Sequence, residues 1–125
     1  MDYKADLKKL RKYETRLFYE MSECGMSVRG YPLTFDDFPG FKFFIHRNNK
    51  GNSYWEVSEI KTGMRITVNL SHTRQEAINN AHEKLMKEGN VRLREVVESI
   101  VNKYGELNKR QENERIKIQT AYIWR

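Results

Sequence analysis

Apolar positions along this chain follow two periods, and the period changes twice. Over residues 3–23, Tyr3, Leu7, Leu10, Leu17 and Met21, followed by Cys24, recur at steps of three and four or their multiples. That spacing predicts an N-terminal helix with one apolar stripe. Lys8, Lys9, Arg11 and Lys12 fall between the stripe positions, as a solvated or docking face of such a helix would. Residues 25–40 lose the period. Gly25, Gly30, Pro32, Pro39 and Gly40 punctuate the stretch and predict a loop. Val28, Tyr31, Leu33, Phe35 and Phe38 are too apolar for a free linker, so the loop should pack on the domain. Asp36-Asp37 suits the start of a short helical turn.

The period then becomes two. Phe41, Phe43 and Ile45 alternate with Lys42, Phe44 and His46; Trp55 and Val57 alternate with Tyr54, Glu56 and Ser58; Met64, Ile66, Val68 and Leu70 alternate with Arg65, Thr67 and Asn69. Asn48-Asn49-Lys50-Gly51-Asn52 and Lys61-Thr62-Gly63 are turn clusters between these segments. Residues 41–70 therefore read as a three-stranded antiparallel meander.

Helical spacing returns at 73. Thr73-Arg74-Gln75-Glu76 fits a capping box, and Ala77, Ile78, Ala81, Leu85 and Met86 form one apolar face that Gly89 would end. Leu93, Val96, Val97, Ile100, Val101 and Tyr104 form a second stripe, interrupted by Gly105. Residues 106–119 are helix-prone but poor in apolar positions. Tyr122, Ile123 and Trp124 make an apolar tail that would dock on the domain or on a second copy, giving a homodimer. The expected fold class is α+β in a single domain, residues 1–125. Its order is N-terminal helix, packed loop, three-stranded meander, two or three C-terminal helices, apolar tail.

Charge changes the picture of partners. The chain has 23 basic and 17 acidic residues in 125, a net +6, spread without a basic arm. That balance favours polyanionic partners. No apolar run approaches the ~20 residues of a membrane span. Met1-Asp2-Tyr3-Lys4 leads into charge, so no membrane partner and a cytoplasmic protein are expected.

Candidate chemistry is sparse. Cys24 is the only cysteine, which excludes an internal disulfide. His46, His72 and His82 share no ligand spacing. Gly25, Gly30 and Gly40 do not make a phosphate loop, and Asp36 and Asp37 point apart in an extended chain. These readings argue against an enzyme and against a bound cofactor. The second pleat of the meander is more suggestive. Lys42, Phe44, Tyr54 and Arg65 mix cations with aromatics on one face, which suits base stacking with phosphate contact. Alternatively, the N-terminal helix or the 25–40 loop covers that face.

The order strand–turn–strand–turn–strand–capped helix, carried by Tyr54-Trp55-Glu56-Val57, Thr62-Gly63 and Thr73-Arg74-Gln75-Glu76-Ala77, resembles the arm-type DNA-binding modules of integrases. In its size, charge and lack of catalytic residues the chain also resembles small bacteriophage inhibitors of host defence, of the anti-CRISPR type. That second resemblance implies a non-enzymatic inhibitor that binds a nucleic-acid-handling host complex and blocks it sterically, with Lys8, Lys9, Arg11 and Lys12 as contacts. The alternative is direct DNA or RNA binding through the face of Lys42, Phe44, Tyr54 and Arg65.

Overall fold

A computed structural model describes residues 2–19, 22–47, 54–67 and 71–109, with backbone pairing alone at 17–19 and 22–25. It corrects the N-terminal half of the expected fold. Residues 3–23 are not a helix. They form β1 (Tyr3–Ala5), a turn, β2 (Arg11–Tyr19) and the start of β3 (Ser22–Phe35). Asp6 builds the turn: its carbonyl accepts from Lys9 N at 3.2 Å and its carboxylate from Lys8 N at 3.1 Å. Within β2 the pattern has period two, with Tyr13 and Thr15 inside and Lys12 and Glu14 outside. Leu7 and Leu10, which suggested the helical stripe, are 44% and 49% exposed.

The loop expected over 25–40 is likewise mostly strand. β3 runs through Gly30 and Pro32 and pairs with three partners, all antiparallel. Arg11↔Gly30 and His46↔Gly30 place β2 and β4 (Phe43–Arg47) on opposite edges, and β1 takes the β2 edge further along, at 33–35. Pro32 falls in the gap between β1 and β2, where its missing N–H breaks no ladder bond; its carbonyl accepts from Asp6 N at 3.1 Å. Residues 36–40 are a turn that packs on the domain through Phe38, which is buried.

The meander is present in its first two strands. β4 pairs with β5 (Trp55–Glu59) in the register Phe43↔Glu59, Ile45↔Val57 and Arg47↔Trp55. The third expected strand survives as a short edge: Met64 O accepts from Glu59 N, and Ile66 N donates to Val57 O, both at 2.9 Å. The turn at 48–52 and Val68, Asn69 and Leu70 lie outside the described residues.

This five-stranded sheet curls into a half-barrel. The turn after β5 reaches the outer edge of β2, where Arg16 N donates to Gly63 O at 2.8 Å. Asn108 extends the closure. Its side-chain amide accepts from Glu14 N at 2.7 Å and donates to Glu14 O at 3.0 Å and Ile60 O at 2.8 Å. One side chain thus acts as a short strand beside β2.

In place of two or three C-terminal helices there is, among the described residues, one, α1 (Arg74–Tyr104), kinked where Gly89 adopts φ 85° and ψ 165°. Thr73 Oγ1 accepts from Glu76 N at 3.1 Å, and the Glu76 carboxylate reaches back to His72 N at 3.3 Å. Beyond Gly105 the chain returns to the sheet, with Leu107 N on Lys61 O, so 106–108 do not extend a helix.

Curling gives the sheet two cores. On the helix side, Leu33, Phe35, Phe43, Ile45 and Val57 pack with Phe38 against Ala77, Ile78, Ala81, Leu85, Leu93 and Val97. On the concave side, Tyr13, Phe44 and Ile60 cluster with Val28. Neither sheet face is bare over its centre.

Candidate nucleic-acid interface

The concave face is the one that mixed cations with aromatics in the sequence. Phe44 is fully buried there, its ring stacked on Tyr13 at 4.3 Å and 5° between planes. β2, rather than a helix or loop, supplies the cover. Phe44 therefore offers no surface for a base. Tyr54 is half-buried with its ring 5.1 Å from that of His72. Arg65 donates to the Glu56 carboxylate at 2.9 Å. Lys42 is exposed, but it lines a separate cavity of about 260 Å³ with Lys61 and Arg94. These four residues do not make one open face.

The concave side holds a polar pair, His46 and Ser58, that fell on the same pleat in the sequence without being singled out as partners. His46 Nδ1 lies 2.7 Å from the Arg47 carbonyl, and Nε2 lies 2.8 Å from Ser58 Oγ. A carbonyl only accepts, so Nδ1 carries the proton and Nε2 accepts from the Ser58 hydroxyl. A serine hydroxyl on an imidazole is the pairing nucleophilic catalysis needs. Here His46 is 0% and Ser58 1% exposed, and neither lines the cavity above or a second one, also about 260 Å³, between α1 and residues 59–66. The pair satisfies two buried polar groups. Burial pushes the imidazole pKa down from its ordinary 6.5, and the nearby Arg65 adds to this; the Arg47 carbonyl and Glu56 pull the other way.

The basic quartet of the N-terminus is divided. Lys8 and Lys9 sit exposed on the β1–β2 turn, with Lys9 3.9 Å from the Asp6 carboxylate. Arg11 and Lys12 are neighbours on β2, so they point to opposite faces. Tyr122, Ile123 and Trp124 lie outside the described residues.

Lys12 belongs to a different group. Tyr13 and Val28 point into the concave core, so Lys12 and its partner Arg29 point to the helix side. Extending the β3–β4 register one pair beyond Gly30↔His46 brings Arg29 abreast of Arg47. Arg47 pairs with Trp55. Lys12, Arg29, Arg47 and Trp55 therefore form one row across four strands, about 14 Å long at ~4.8 Å per strand. Lys12, Arg29 and Arg47 are exposed. Arg74, in the first turn of α1, leans over the end of the row, its guanidinium 5.5 Å from the Trp55 ring and 5.9 Å from that of Tyr31. Arg47 lies 4.8 Å over Trp55. Glu14 is an acidic neighbour among the described residues, two residues along β2 on the same face. Strand alternation over 11–19 was the signal that could have exposed this row.

Among the described residues, no group of three or more His, Cys, Asp or Glu side chains could hold a metal ion, and no helix is long and apolar enough to cross a membrane. No protein-family model, curated protein or solved structure matches the chain.

Proposed function

We propose that this protein is a non-enzymatic binder of nucleic-acid phosphates, using Lys12, Arg29, Arg47 and Arg74. One juxtaposition carries the reading: Lys12 pairs with Arg29, the extended β3–β4 register brings Arg47 abreast of Arg29, and Arg74 leans over the Trp55 end. A polyanion laid along such a row gains phosphate contacts at strand spacing and the entropy of counterion release. The net charge of +6 adds long-range attraction.

The role of inhibitor of a nucleic-acid-handling host defence complex uses the same chemistry against a protein. A mobility-shift titration with duplex and single-stranded DNA and RNA, at two salt concentrations, separates the two. A phosphate binder gives saturable complexes that weaken with salt. Absence of any complex, with co-purification of a host nucleic-acid-handling complex, would replace this reading with the inhibitor.

A further inference from the structure

The aromatic rings at this surface already have partners. Trp55 and Tyr31 are half-buried and pack against the helix-side core. Arg47 and Arg74, both exposed, lie over Trp55, and Arg74 also lies over Tyr31. A ring that packs against the core on one part and sits beside a guanidinium on another is poorly placed to stack a base. A guanidinium lying on a ring loses little orientational freedom when it binds, and it keeps its N–H edge for a planar, bidentate phosphate contact. Arg29 and Lys12 continue the cationic line at strand spacing. The geometry points to the sugar-phosphate backbone of a nucleic-acid duplex as the ligand, read without base stacking and without sequence. This rests on the phosphate-binding reading above and names its substrate class. An open-sheet binder of single strands presents bare aromatic rings instead.

The test compares the full-length protein on duplex DNA, duplex RNA and single strands of equal length, across a salt series. With four cations engaged, log affinity for duplex DNA should fall against log salt with a slope of about −3 to −4. Inorganic polyphosphate, which has no bases, should compete. Arg47→Gln and, independently of Trp55, Arg29→Gln should each reduce the slope by about 0.9. Single strands bound tenfold or more tightly than duplexes would overturn backbone readout, while leaving nucleic-acid binding intact. No complex with duplex or single strand at low salt would overturn the phosphate-binding reading itself.

Discussion

Side chains that look alike in the sequence have opposite fates in this fold. Phe44 and Trp55 are both aromatic residues of the meander, ten positions apart from Tyr54 or adjacent to it. Phe44 fills the concave core under Tyr13, whereas Trp55 lies half-buried under two arginines on the other face. Phe44→Ala should cost roughly 3–5 kcal/mol in urea denaturation. Tyr13→Ala should cost a similar amount. The double variant should lose about 0.5–1.5 kcal/mol less than the sum, since the stacked pair is lost only once. Additive losses would mean the rings do not stabilise each other.

His46 makes a second residue-scale prediction. Its folded-state pKa is lowered, so the unfolded chain binds the proton more tightly than the folded one. Stability from this group is complete above pH 6.5 and declines as pH falls below it. The contribution to the slope is at most about 1.4 kcal/mol per pH unit. Denaturation midpoints between about pH 7.5 and pH 5 should fall more steeply for the wild type than for His46→Gln. Equal slopes would place the acid sensitivity elsewhere.

At the scale of elements, legibility followed how locally each element is specified. α1 carries its capping box within its own segment, so its start could be read directly, whereas Gly89 read as a stop and proved to be a kink. β4 and β5 were legible as strands from their turns and their β-branched and aromatic residues, although both pleats of β4 are buried. β2 alternates, but Leu7, Leu10 and Leu17 sit at helical spacing around it, and Arg16 is a charged residue buried in the fold. β3 carries Gly25, Gly30 and Pro32, each a loop signal in isolation. Their places become intelligible only with three neighbouring strands present, because Pro32 needs the gap between β1 and β2. The candidate site was hidden for the same reason. Lys12, Arg29 and Arg47 are 17 and 18 positions apart, and only strand register brings them together.

Glycines test the two devices that shape these elements. Gly63 has φ 68°, and an added Cβ would lie 2.8 Å from the Leu107 side chain and 2.9 Å from Glu14 O. It sits where the turn after β5 meets β2. Gly89 has φ 85° but nothing within 4 Å of that position. Gly89→Ala should therefore cost only backbone strain, about 1–3 kcal/mol. Gly63→Ala should cost distinctly more, because strain and overlap with backbone add. Thermal denaturation of the two variants checks the order; a larger loss at Gly89 would contradict the closure described for the half-barrel.

For the whole molecule, a packed interior on both sides of the sheet contrasts with a cationic row at its surface. On the proposed function, Lys12, Arg29, Arg47 and Arg74 act together on a polyanion, while Lys8 and Lys9 on the β1–β2 turn do not. The most direct measurement is fluorescence anisotropy of a labelled duplex titrated with wild type, with Arg29→Gln/Arg47→Gln/Arg74→Gln, and with Lys8→Gln/Lys9→Gln, in one low-salt buffer. Urea midpoints beforehand confirm that each protein is folded. The expected result is saturable binding by the wild type, a loss of about a hundredfold or more in the triple variant, and a much smaller loss in the turn variant, since charged contacts contribute ~1.5–3 kcal/mol each. Equal affinities of the wild type and the triple variant would contradict it.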